Sequence, residues 1–317
     1  MTTGECNPNY KDAVWVYYRF EPSMGANAVF VVLFGVTSIL HIVQIWRTKT
    51  WYLLALVLGG CCESIGYIGR VISATQDPGC WSLGPYVMQN MLILIAPALM
   101  AASIYMILGR IILLTEGEQY ALIKQRWLTK IFVAGDMLSL LLQASGGGLM
   151  AAGEEQMKTG EKIVITGLFV QLAFFGCFIV VSAMFHQRMA RAPTARAADP
   201  LVRWKSYLMA LYVTGVLIWV RSLFRVIEFI QGNDGHLMRS EVYVFVFDGL
   251  LMIVTLAWMN WFHPGEIGLL LRGDTPIKNG LELVKVGKRE GRRRRTETRE
   301  SLSSSQGTMV GATQSAI

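Results

Sequence analysis

The sequence predicts an all-α polytopic membrane protein with seven transmembrane helices, its N-terminus outside and its C-terminus cytosolic. Three observations predict it. Of 317 residues, 53% are hydrophobic and only 16% charged, whereas a soluble protein carries about 25% charged residues. Seven apolar stretches recur, each near the ~20 residues that cross about 30 Å of hydrocarbon as a helix. Basic residues collect in alternate connections and the tail, twenty on one side against five on the other, and Lys and Arg are retained on the cytosolic side during insertion. A mean hydropathy of +0.42 excludes a water-facing globule of this size, which would lack the ionised surface to cover itself.

Residues 1–24 lack a basic start followed by a small-residue cleavage site. They are therefore expected to be an outer segment rather than a signal peptide, with the first helix serving as the insertion signal. Spans are expected at 25–46, 51–73, 85–114, 127–150, 161–187, 204–230 and 241–262. Backbone polar groups in lipid must be satisfied internally, by helices or a closed barrel, and continuous apolar runs without strict alternation choose helices. Pro97, midway along the third span, removes a backbone donor and is expected to kink the helix, freeing a carbonyl near mid-membrane. Gly146-Gly147-Gly148 in the fourth lets backbones approach closely; with no strand before it, it is not a phosphate loop. The membrane domain is assigned to 25–264 and a basic, Ser-rich tail to 265–317, disordered until it meets a partner. The tail run Arg292–Arg295, beside Thr296, Thr298 and Ser301, suits anionic inner-leaflet lipid or a kinase. A tail held at a membrane is not expected to bind nucleic acid.

The five cysteines divide by depth. Cys61, Cys62 and Cys177 fall inside spans, where a thiol behaves as a small apolar group. Cys6 and Cys80 map to the outer, oxidising face, where a disulfide persists, and they are expected to pair.

Charges inside spans are costly, so those that remain carry information. Glu63 and Arg70 lie in the second span, Asp136 in the fourth, Arg221, Arg225 and Glu228 in the sixth, and Asp248 in the seventh, with Glu241 at its outer end. Residues seven apart share a helix face. Glu63, Tyr67 and Arg70 therefore form one stripe, Asp136 and Gln143 a second, Arg221, Arg225 and Glu228 a third, and Glu241 and Asp248 a fourth. Within the spans Glu63, Asp136, Glu228 and Asp248 oppose Arg70, Arg221 and Arg225, so ion pairing offsets most of the desolvation cost, and one carboxylate remains over. The seams either fix helix register or line a polar cavity for protons or an amphiphile's headgroup. Two guanidiniums a turn apart, Arg221 and Arg225, suit a carboxylate or phosphate-like oxygen pair, while the spare carboxylate suits an amine.

Other chemistries are excluded or disfavoured. A retinal protein needs an intramembrane lysine for its Schiff base, yet all ten lysines lie in connections, the tail or the first turn of a span. His41, His186 and His263 fall near the cytosolic helix ends without the close spacing of a zinc site, so no metal and no cofactor is expected. Nucleotide-binding and nucleophile-elbow motifs are absent,.

In order along the chain stand Glu63-Ser-Ile-Gly-Tyr67-Ile-Gly-Arg70, Ala96-Pro97 with Tyr105 and Gly109-Arg110, and Asp136 with Gln143 and Gly146-Gly147. Gly167-Leu168 with Gln171, Arg221 with Arg225 and Glu228, Glu241 with Tyr243 and Asp248, and Phe262-His263-Pro264-Gly265 follow. Through these blocks the chain resembles the fungal RTA-like family, also called lipid-translocating exporters, over about residues 15 to 265. The resemblance implies a seven-helix membrane protein whose relatives are linked to resistance to toxic amino-sterols, export of sphingoid long-chain bases, and protoporphyrin uptake with haem efflux.

The expected function is a transporter or translocase, not an enzyme, for an amphiphilic lipid-like substrate, in the plasma membrane or, as the alternative, another membrane of the secretory pathway. Its polar interior is expected to comprise Glu63, Tyr67, Arg70, Asp136, Gln143, Gln171, Arg221, Arg225, Glu228, Glu241 and Asp248. A seven-helix sensor signalling through its cytosolic face is the first alternative, and an intramembrane lipid hydrolase the second.

Overall fold

The computed structural model describes residues 6, 10, 16–152, 154–199, 202–232 and 235–272. Seven helical segments are long and apolar enough to cross a membrane, and the described residues form no strand. The first five spans are built on α1 (Met24–Thr48), α2 (Leu54–Ala74), α3 (Leu83–Leu114), α4 (Gln125–Ala152) and α5 (Glu154–Arg191). The sixth is α6 (Trp204–Gln231). The seventh is composite: α7 (Glu241–Val244), a π-helical turn over Phe245–Leu250, and α8 (Leu251–Trp261). A short α9 (Gly265–Leu271) follows.

Local chemistry sets the boundaries. Ser23 caps α1 by accepting from the Ala26 amide at 3.4 Å, and Lys49, in the left-handed region at φ 53°, ends it,. A 3-10 turn at Trp51–Leu53 leads into α2. At 1.5 Å per residue, the 32 residues of α3 span about 48 Å,, which exceeds the hydrocarbon thickness and requires tilt or projection. The sequence places the fifth span at 161–187, and α5 runs further at both ends. Hydropathy marks where the chain is apolar, whereas a helix continues into polar surroundings until its backbone pairing is interrupted.

Neighbouring helices pack in chain order, and α8 closes the ring against α1. The central helix is α3, which touches α2, α4, α6 and α9 and buries Met100, Ile104, Tyr105 and Leu108. By contrast α1 turns Val29, Val32, Val36 and Ile39 outward, an apolar face suited to lipid and unsuited to water. Glycines bring backbones together where helices cross. A Cβ on Gly59 would lie 2.9 Å from the Ala96 carbonyl, and one on Gly146 2.6 Å from the Gly160 carbonyl.

Cys6 and Cys80 are joined by a disulfide, with their Cα atoms 4.5 Å apart. It ties the N-terminal segment to the α2–α3 connection, where Tyr18 and Trp81 meet edge to face at 5.2 Å. At the opposite end, α9 extends the ordered unit past residue 264, the limit assigned from sequence. Its Glu266 accepts from Arg203 and Tyr207, each at 2.8 Å, and Ile267 is fully buried. The remainder of the expected tail, with its Arg292–Arg295 run, lies outside the described residues.

Candidate functional site

The buried charges gather mainly where α6 faces the π-helical turn. Two guanidiniums one turn apart on α6 grip the two oxygens of a single carboxylate. Arg221 Nε pairs with Asp248 Oδ1, and Arg225 Nη2 donates to Asp248 Oδ2 at 3.0 Å. Arg225 Nη1 donates to Glu228 Oε2 at 2.7 Å. The oxygen pair that Arg221 and Arg225 were expected to bind is thus supplied by the protein itself. Arg221 also donates through Nη2 to the Ile93 carbonyl at 2.7 Å. Ile93 lies four residues before Pro97, so its carbonyl is the acceptor that the proline leaves without a helical donor. The α6 cluster therefore supplies a donor to that carbonyl, and α3 runs unbroken through Pro97.

A second group lies nearer the N-terminal segment. Arg70 donates through Nη2 to Glu241 Oε1 at 2.7 Å and through Nε to Asn27 Oδ1 at 2.9 Å. The Asn27 amide donates to the same Glu241 oxygen at 3.0 Å, and the Ser23 amide to the other at 2.8 Å. Glu241 and Asp248 lie on either side of the π turn and serve different arginines, while both face the α2 stripe, Glu241 at Arg70 and Asp248 toward Glu63.

A third group is separate. The Tyr105 hydroxyl donates to Asp136 Oδ2 at 2.9 Å, inside a ring of Phe132, Phe175 and Phe178. Gln143 Nε2 donates to Gln171 Oε1 at 3.1 Å across α4 and α5. Asp136 does not join the α6 cluster, because the α3–α4–α5 aromatic packing stands around it.

Glu63 differs from all of these. It is 0% exposed, and neither carboxylate oxygen has a hydrogen-bond partner among the described residues. Since Arg70 is taken by Glu241, the tally of one spare carboxylate becomes two without a cation: Asp136, which has a tyrosine donor, and Glu63, which has none.

A cavity of about 220 Å³ opens between α3, α4, α5, α6 and the N-terminal segment. Arg70, Gln143, Arg225 and Glu228 line it, whereas Glu63, Tyr67, Asp136, Gln171, Arg221, Glu241 and Asp248 do not. Tyr18, Phe20 and Tyr86 supply aromatic wall, and Met91, Met150, Met157 and Met238 supply thioethers from four parts of the chain, a lining that repacks around varied shapes. Burial pushes the Tyr18 phenol above its ordinary value, opposed by its 3.1 Å hydrogen bond to Ser73.

Sequence reasoning missed Asn27, the Tyr17–Phe20 wall and Glu161 on the cavity, and gave no partner to Arg110, which stacks 3.9 Å over the Tyr52 ring. The aromatic run ahead of the first span was the available signal for the wall. Asn27, neutral in an apolar helix, gave little. His41 Nε2 lies 3.1 Å from the Leu256 carbonyl, and no three His, Cys, Asp or Glu side chains among the described residues are grouped to hold a metal.

A bundle of seven apolar spans enclosing paired charges defines a polytopic integral membrane protein. The chain belongs to the family described as RTA1 like protein, whose profile matches residues 56–269. It is 34% identical over 262 residues to Protein RTA1 of Saccharomyces cerevisiae, covering 75% of this chain and 81% of that one. Similarity to Protoporphyrin uptake protein 1 of the same species is 33% over 280 residues, covering 77% and 91%. Sphingoid long-chain base transporter RSB1 of S. cerevisiae strain Lalvin EC1118 is 25% identical over 287 residues, covering 79% and 74%. No solved structure matches the chain.

Proposed function

We propose that this protein moves an amphiphilic, lipid-like molecule across or out of the membrane, as a transporter rather than an enzyme. The observation that carries the reading is the cavity, whose apolar and aromatic wall is interrupted by the Arg225–Glu228 ion pair. At about 220 Å³ it is smaller than the roughly 300–1,000 Å³ pockets that engulf drug-sized ligands. It therefore suits a polar headgroup, while the hydrocarbon part stays in lipid. Relatives named for a sphingoid long-chain base and for protoporphyrin support an amphiphile as cargo.

In this reading the cavity end faces outward. The opposite end, with Arg47, Lys49, Lys124, Arg126, Arg188 and Arg191 at its helix termini, faces the cytosol, in the plasma membrane. The Arg292–Arg295 run contacts anionic inner-leaflet lipid and is tuned by phosphorylation nearby.

Flux of a fluorescent sphingoid base and of protoporphyrin into proteoliposomes tests the proposal. Wild-type protein is expected to move at least one of them faster than protein-free vesicles. Glu228→Gln, which weakens a charged hydrogen bond at the cavity wall, is expected to slow that flux roughly tenfold. Wild-type vesicles that match protein-free vesicles for both probes would overturn the reading.

A further inference from the structure

The carboxylate at the centre of α2 has no counter-charge of its own. Arg221 and Arg225 are matched by Asp248 and Glu228, and Arg70 by Glu241. The α6 cluster is therefore neutral before Glu63 is counted, and an ionised Glu63 would add an unbalanced negative charge in a fully buried position. Hydrocarbon surroundings do not support such a charge without a partner.

Its neighbourhood is furnished for a small positive species. The Tyr67 hydroxyl, one turn further along α2, is fully buried and has no partner; it sits against Gly249, the residue after Asp248. Ser38 on α1, buried and also without a partner for its hydroxyl, sits against Gly60, one turn before Glu63. The titratable and charged groups facing Glu63 are Tyr67 and Cys62 on its own helix, Arg221 and Arg225 on α6, and Asp248 on the π turn. Arg225 also lines the cavity, so the ion cluster connects the cavity wall to this carboxylate.

We propose that Glu63 is the proton-binding site that couples substrate movement to the transmembrane proton gradient. A proton taken from water on one side adds to a Glu63 oxygen, giving the neutral acid, and leaves to water on the other side; no other bond forms or breaks. The Asp248 cluster senses the change, because gain or loss of the Glu63 charge alters the balance that holds Arg221 on the Ile93 carbonyl of α3. Occupancy of Glu63 and the geometry of α3 are thereby linked. This inference rests on the transporter reading and adds its energy source.

The test is flux of the same two probes into proteoliposomes with and without an imposed pH gradient. Wild-type flux is expected to rise with the gradient and to fall back when a protonophore is added. In Glu63→Gln the ratio of flux with and without the gradient is expected to fall to unity, while gradient-free exchange of the probe persists; Glu63→Asp is expected to retain coupling. Wild-type flux that ignores the gradient, or coupling that survives in Glu63→Gln, overturns the proton site and leaves the transporter reading standing. If wild-type protein moves neither probe, the transporter reading fails, and infrared difference spectra on changing pH decide the proton site. A carboxylic-acid band present in wild type and lost in Glu63→Gln supports it; no such difference overturns it. Where Glu63→Gln does not fold, the Glu63→Asp variant and the wild-type protonophore response carry the same decision.

Discussion

At the end of the bundle that carries the N-terminal segment, buried charges meet other charges. Arg70 meets Glu241, and Arg225 meets both Glu228 and Asp248. At the α9 end, polar side chains more often meet backbone carbonyls. His41 lies on the Leu256 carbonyl, Gln44 donates to that of Asn260 at 2.8 Å, Tyr52 to that of Pro264 at 2.7 Å, and Arg272 to that of Thr48 at 2.6 Å. A carbonyl partner fixes a side chain to a helix end and leaves little to rearrange. Charge partners on separate helices can be exchanged or neutralised, and they lie beside the cavity. The difference assigns stiffness to one end and adjustability to the other.

The largest test of that contrast removes the shared acid. Asp248→Ala leaves two buried guanidiniums short of a counter-charge and is expected to cost about 3–5 kcal/mol. His41→Phe at the other end removes one ordinary hydrogen bond and is expected to cost about 1 kcal/mol. Thermal unfolding in detergent measures both, and equal losses would break the comparison. A middle-sized effect is expected at the α4–α5 crossing. A side chain at Gly146 runs into the Gly160 carbonyl and the Val164 amide, at 2.6 and 2.8 Å from its Cβ, so Gly146→Leu should cost about 1–3 kcal/mol at the cavity end, without touching a charge pair. The smallest concerns Arg203, whose side chain is 48% exposed. Solvent screens its pair with Glu266, so Arg203→Ala should cost below about 1 kcal/mol and less still at high salt. A larger, salt-insensitive loss would show that α9 is held by charge after all, and would narrow the contrast between the ends.

Much of this was legible in the sequence because the bilayer imposes a simple rule. Seven long apolar runs had to be helices, and the charges left within them had to face inward. Spacing of seven correctly put Arg221, Arg225 and Glu228 on one interior seam. What spacing could not supply was which seam meets which. Arg70 is drawn to Glu241 because both sit near the N-terminal-segment end of their helices, and neutral Asn27 binds both, a partner that charge counting overlooks. The Arg221 contact with α3 was present in outline, since Pro97 marks Ile93 as the residue with a free carbonyl, but nothing in one dimension names the donor that reaches it. The cavity was least legible, since its roof is the irregular Tyr17–Phe20 stretch and its methionines look like ordinary core residues.

The π-helical turn at Phe245–Leu250 has a consequence for which sequence changes the fold tolerates. It accommodates one residue beyond regular winding, so the chain there is sensitive to length as well as to composition. Loss of a single residue would restore even winding and rotate everything on one flank, leaving one of the two arginine groups without its acid. Indels in this stretch should therefore be far less permissible than substitutions on its lipid-facing side.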